Sequence, residues 1–400
     1  MRVFVAGASG AVGTRLVRQL IERGHEAVGT SRSPEKAERL RAAGAEPIVL
    51  DLLDRDAVRQ AVVKARPDGI VHEATALAGM SDIKHFDGSF GLTNRLRTEG
   101  TDALLAGARE AGVRLFVAQS YAGWPYAREG GPVKTEEDPL DPTPAPAMRE
   151  TLAAIRYLEQ TTTEAGGAAL RYGGLYGAPD DAQLELVRKR RFPIVGDGGG
   201  IWSFVHLEDA ATATILALEQ AAQGVYNVVD DDPAPVREWL PALADAIGAK
   251  PPRRVPAWLA RLLAGESGVV LMTEIRGASN AKAKSELGWK LRFPSWREGF
   301  RAAYAGGANS KRGDRSRRRR RAGGASRRIG PRARASKADA RRPSDGSKSS
   351  VGTIPESPVA DDRRTLESPP LTGFAFPVSS PHQVPADLRI RGDLCLTRRL

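Results

Sequence analysis

Seven short apolar runs recur along the chain: RVFVAG at 2–7, HEAVGT at 25–30, EPIVLD at 46–51, GIVHEA at 69–74, RLFVAQ at 114–119, AALRYG at 168–173 and GVYNVV at 224–229. Between them the apolar period lengthens. Val12, Leu16, Leu20 and Ile21 fall at helical spacing ahead of Gly24, where a helix would stop. Further helical stretches read at 34–43, 54–65, 98–111, 149–165 and 207–222. Strands alternating with helices predict parallel βαβ units, and hence an α/β fold built on a Rossmann-type doubly wound parallel sheet.

After about Gly173 the rhythm loosens, with DDAQLELVRKRRFPIVGDGGG and PAPVREWLPALADAIG interrupting it. The expected organisation is a nucleotide-binding domain at 1–175 and a smaller C-terminal substrate-binding portion at 176–305, from which a strand near 224–229 returns to the sheet. A tail follows at 306–400. From Gly306 to Leu400 there are 22 Lys and Arg against 9 Asp and Glu, so the net charge of +12 belongs to the tail and the body is near neutral. A near-neutral body removes the argument for a nucleic-acid-binding fold.

The tail's Arg- and then Ser/Pro-rich text cannot bury enough apolar surface to offset its ordering entropy, and it is expected to be disordered. The run Arg317–Arg321 suits non-specific contact with nucleic acid or anionic lipid, but no interleaved aromatics or apolar periodicity make either specific. The single cysteine, Cys395, lies in the tail, so the body has neither a disulfide nor a thiolate site. With no signal-like leader and no apolar run of membrane-spanning length, a cytoplasmic protein without a membrane anchor is expected. Its partner would be a small-molecule substrate, with a homodimer possible.

The sharpest chemical signal is GASGAVG at 7–13, which follows a strand and opens a helix. Gly7 permits a tight turn, Gly10 lets bare backbone approach a pyrophosphate, and Gly13 lets the helix pack on the strand. Ser9, Ala11 and Val12 complete this cofactor loop. At the end of the second strand, Thr30-Ser31-Arg32 stands where a carboxylate would accept hydrogen bonds from a ribose 2′-OH. A guanidinium beside a hydroxyl favours a 2′-phosphate instead, so Ser31 and Arg32 point to NADP rather than NAD.

Five further stretches resemble the extended short-chain dehydrogenase/reductase family, also called the NAD-dependent epimerase/dehydratase family, over Met1 to about Tyr304. They are Asp51-Leu52, HEATA at 72–76, GTDALLAGAREAGV at 100–113, FPIVGDGGGIWSFVHLEDAATA at 192–213 and NAKAKSELGWKLRF at 280–293. The resemblance implies that Asp51 and Leu52 contact the adenine, and that Ala74, Thr75 and Ala76 pass under the cofactor. RYGGLYG at 171–177 follows the sixth strand, and its glycines either let backbone N–H groups face the nicotinamide, adding Tyr172 to the cofactor residues and Arg171 and Tyr176 as candidates for the substrate cleft, or simply form a glycine-rich strand exit.

The family's chemistry needs a tyrosine and a lysine four residues apart, so that the ammonium lowers the phenol's pKa. None of the seven tyrosines has lysine four positions later. Aligned on Glu159, the helix TLAAIRYLE puts Thr151 at the tyrosine position and Ile155 at the lysine position, and Tyr157 falls around 240° away from Thr151. Ser120 matches the family's serine, while Arg97 stands where its asparagine is expected. This pattern resembles the atypical members of the family.

For catalysis the aromatic loop SYAGWPY at 120–126 offers Ser120 and Tyr126, with Tyr121 second and Lys134 expected to be solvated among its acidic neighbours. No metal site is expected, since His206 with Glu208 and Asp209 reads as hydrogen-bonded structure. Two functions stay open: an NAD(P)-dependent oxidoreductase or epimerase-like protein acting on a small carbonyl, alcohol or sugar-type substrate, or a non-catalytic NADP-binding sensor.

Overall fold

The computed structural model describes residues 1–77, 82–178 and 182–304, and the predicted tail lies outside them, as does Cys395. Each of the seven apolar runs is a strand: β1 (Arg2–Ala6), β2 (Glu26–Ser31), β3 (Glu46–Val49), β4 (Gly69–His72), β5 (Leu115–Tyr121), β6 (Ala168–Tyr172) and β7 (Gly224–Val228). They pair in parallel throughout, in the order β3-β2-β1-β4-β5-β6-β7.

Because side chains alternate along a strand, each strand feeds two cores. Val3, Val5, Val71, Leu170 and Val228 join the cluster under α1 (Ala11–Glu22) and α8 (Leu207–Glu219). Phe4, Ala6, Val28, Ile70, Phe116 and Ala118 join the cluster under α3 (Arg55–Ala65) and α5 (Thr101–Ala111). The strand order reverses between β1 and β4, which opens a crevice at their carboxyl ends where doubly wound sheets bind ligands.

The remaining helices are α2 (Pro34–Ala42), α4 (Phe86–Arg95), α6 (Arg149–Glu164), α7 (Ala182–Arg188), α9 (Val236–Ala246), α10 (Ala257–Thr273) and α11 (Ala281–Glu286). The helix predicted from 98 begins earlier. It starts as α4 at Phe86 and reaches α5 through a π turn at Leu96–Gly100. Gly88 and Gly91 mask this start in sequence, but Phe86, Phe90 and Thr93 are buried on one face. In the C-terminal part a separate core forms around Phe204, Trp239, Trp296 and Phe300, whose rings meet edge-on or tilted. Short strand pairs edge it, including Phe204–His206 with Gly174–Tyr176.

Candidate active site

The glycine loop after β1 has the geometry an anion cradle requires. Gly7 adopts φ +87°, and a Cβ there would lie 2.7 Å from the Ala74 backbone. At Gly13 a Cβ would lie 2.3 Å from the Gly7 carbonyl oxygen, so only glycine lets α1 approach β1 this closely. Gly10 meets nothing within 4 Å except that oxygen at 3.2 Å. It caps α1 with no side-chain hydrogen bond, and the first turn carries no acid. Unsatisfied N–H groups and the positive end of the helix therefore face outward past Ser9 and Ala11, while Val12 anchors the turn in the core.

The other predicted cofactor residues arrive from neighbouring strand ends. Thr30 accepts a hydrogen bond from Gly7 N at 3.1 Å, and the buried Ser31 Oγ accepts one from Ser33 N at 3.2 Å. Arg32 is exposed, with no hydrogen bond or ion pair to the described residues. Asp51 is exposed and accepts from Leu53 N at 3.0 Å, and Leu52 is buried beneath it. Ala74, Thr75 and Ala76 are half-buried beyond β4, with Ala76 N donating to Thr93 Oγ1 at 3.1 Å. Tyr172 is fully buried. Its ring packs in the core on the α1 and α8 side, and its hydroxyl donates to Glu73 Oε1 at 2.7 Å. Burial pushes the Glu73 carboxyl up to about 8, and its other oxygen has no partner.

At the end of β5 a chain of buried polar groups forms. Ser120 Oγ donates to Glu159 Oε1 at 2.6 Å, and Arg171 grips both oxygens of that carboxylate at 2.7 and 2.6 Å. Arg171 Nη1 also donates to the Tyr126 hydroxyl at 2.9 Å, which in turn donates to Asn227 Oδ1 at 2.6 Å. Tyr126 is fully enclosed, and burial raises its phenol to about 12. Its proton is held inside the network.

At the family's tyrosine position, Thr151 Oγ1 donates to Asp87 Oδ1 at 2.6 Å and accepts from Asn94 Nδ2 at 3.1 Å. Asp87 also takes the Thr151 and Glu150 N–H groups and so caps α6. Ile155, at the lysine position, is buried in an apolar cluster with Met148 and Leu152. Tyr157 lies elsewhere on the helix, with its hydroxyl on Asp102 at 2.7 Å.

Other sequence candidates have structural partners. Lys134 is not solvated: its stem is buried and its ammonium reaches Glu129 O at 2.6 Å and Asp138 Oδ1 at 3.1 Å. A long aliphatic stem can be covered while its head finds partners, which composition alone does not reveal. His206 accepts from Glu208 N at the start of α8 and packs on Phe293, and burial lowers its pKa to about 4. Asp209 accepts from the backbone N–H groups of Arg292 and Phe293. Among the described residues no cluster of three or more His, Cys, Asp or Glu is arranged to hold a metal. No helix of the described residues is long and apolar enough to cross a membrane.

Sequence reasoning used Glu159 only to place a helix and passed over Glu73, Asp87, Asn94 and Asn227. Each gains its role from a partner distant in sequence, such as Asn227 from Tyr126. Arg97 did leave a signal, by standing where an asparagine was expected.

Residues 3–229 match the family described as NAD dependent epimerase/dehydratase. Over 312 residues the chain is 42% identical to the 3-diazoavenalumate denitrifying reductase of a Streptomyces species, covering 75% of this chain and 99% of the relative. It is 31% identical over 269 residues to the 2-alkyl-3-oxoalkanoate reductase of Stenotrophomonas maltophilia, covering 62% and 76%. The solved UDP-glucose 4-epimerase of Thermus thermophilus, in complex with NAD, superposes with a TM-score of 0.59 at 25% identity and covers 77% of this chain and 99% of that one. A glycine cradle at the switch point of a seven-stranded parallel sheet agrees with these matches: the chain belongs to the NAD-dependent epimerase/dehydratase family, with an NAD(P)-dependent oxidoreductase or epimerase-like role.

Proposed function

We propose that this protein is an NADP-dependent reductase whose acceptor needs no proton from the chain. The observation that carries this reading is Thr151, which occupies the acid's position with its hydroxyl donating to Asp87, while Ile155 removes the ammonium that would lower a phenol's pKa. Gly7, Gly10 and Gly13 would hold the cofactor's diphosphate, with Ser9, Ala11 and Val12 shaping the loop. Asp51, Leu52 and Ala74 to Ala76 would flank the adenine and nicotinamide sides. Arg32, exposed beside Ser31, is the charge a 2′-phosphate would meet.

When bound, the dinucleotide supplies a hydride. A carbon bearing a diazonium group would take up that hydride, keep the hydrogen and lose dinitrogen, so the balance would be diazonium plus NADPH giving C–H product, N2 and NADP+. The Streptomyces relative is named for a denitrifying reduction of this kind. The two reductases named above have substrates whose names denote carboxylate anions, and the substrate class proposed here is accordingly a small diazonium carboxylate. Residues 176–305 would supply the substrate-binding portion. Ser120 and Tyr126, through Glu159 and Arg171, hold the shape of the corner where the acceptor lies and do not pass it a proton.

The test is turnover of an arenediazonium carboxylate with NADPH deuterated at C4. Deuterium on the product carbon, with dinitrogen evolved, is expected. Solvent deuterium at that carbon, or ketone reduction abolished by Tyr126→Phe, would sink the reading. Tight NADPH binding with no turnover of diazo or carbonyl compounds would favour a cofactor-sensing protein instead.

A further inference from the structure

Building on the carboxylate substrate class above, we propose that Arg97 is the anchor for the substrate's anionic group. Arg97 is only 4% exposed, and its Nε and Nη1 are buried with no hydrogen-bond partner. No ion pair to it forms among the described residues, whereas its neighbour Arg95 pairs with Glu99 on the outer face. A guanidinium enclosed without a counter-charge is costly, and such a group persists where a ligand supplies the missing charge.

The backbone explains how the side chain comes to point inward. Leu96–Gly100 is a π turn, which widens the helix by one residue and re-aims the side chains within it. The Leu96 carbonyl accepts from the His72 Nε2 donor at 3.0 Å, so the irregular turn leaves this carbonyl satisfied while the guanidinium is not. The Arg97 Cζ lies 6.0 Å from the centre of the Phe90 ring.

The groups whose charge acts on Arg97 are Glu159, Tyr121 and His72. None of them neutralises it. Both Glu159 oxygens are taken by Arg171, one of them also by Ser120. Burial raises the Tyr121 phenol to about 12 and lowers His72 to about 4, leaving both uncharged near neutrality. The charge therefore faces the corner formed by β5 and α6. Arg97 lies on the turn between α4 and α5, in a different element from the glycine loop and from Arg32, and the experiment below separates a substrate anion from a cofactor phosphate.

The experiment is calorimetry on the full chain saturated with NADP+, using cinnamate and neutral cinnamamide as probes, since aromatic rings flank Arg97. Wild type should bind cinnamate about tenfold or more tighter than cinnamamide, and Arg97→Met should bind the two alike. NADP+ affinity, measured separately, should stay within about twofold. Equal binding of both probes by wild type, or a preference that survives Arg97→Met, would overturn the proposal. A loss of NADP+ affinity matching the loss of cinnamate affinity would also overturn it, by reassigning Arg97 to a cofactor phosphate. If Arg97→Met does not fold, Arg97→Lys decides: a preference cut roughly fivefold supports the anchor, and an unchanged one removes it. Because binding is read without turnover, failure here leaves hydride transfer standing. Carboxylate binding without dinitrogen release would instead remove the reductase reading and keep the anchor.

Discussion

Two guanidiniums are buried to the same degree, Arg171 at 5% exposure and Arg97 at 4%, in regions that treat charge in opposite ways. Around Arg171, the Glu159 carboxylate and the Tyr126 hydroxyl supply partners, and these hold the arginine's pKa above its ordinary value despite burial. Around Arg97 burial outweighs the charge of Glu159 and brings the pKa down to about 10. A paired buried charge fixes structure, and breaking it is expensive; an unpaired one weakens the free protein and is understood through what it binds.

The largest expected effect comes from breaking the paired side. Glu159→Ala leaves Arg171 uncompensated and should cost about 3–5 kcal/mol in urea unfolding. A loss below about 1 kcal/mol would erase the contrast between the two regions.

Glu73 tests the same logic with an acid. Its folded pKa, raised to about 8, lies above its ordinary 4.5. Below 4.5 both states are protonated. Between there and about 8 the unfolded chain sheds a proton that the native chain keeps, so stability falls as pH rises; above 8 it levels off. Glu73→Gln should remove that contribution, a difference of about 4 kcal/mol at pH 8, while Asp230, also raised to about 8, keeps its own falling contribution and His72 and His206, lowered to about 4, add a rising one below about pH 6.5. An identical pH profile for the variant and wild type would contradict the assignment.

On the unpaired side, Arg97→Met should raise the melting temperature of the ligand-free protein, by an amount equivalent to about 2 kcal/mol. A lowered melting temperature would mean that the guanidinium has a structural partner. The smallest effect concerns a charge left in solvent: Arg32→Ala should weaken NADPH about tenfold and NADH by less than about twofold. Equal weakening in a fluorescence titration would withdraw the choice of NADP.

The sequence by itself determined the seven strands, the glycine loop and the absence of a tyrosine-lysine pair. All three are local: apolar alternation, helical period and glycine spacing depend on neighbours within a few residues. Helix α4 escaped because its glycines hid an amphipathic face. Which buried polar groups are satisfied was decided only by the tertiary structure. Glu159 meets Ser120 and Arg171 across three elements, Thr151 meets Asp87 across 64 positions, and Arg97 meets no counter-charge among the described residues. Burial sets the energetic stakes of a charge, but its partner sets the sign, and the partner is chosen by the packing of distant elements.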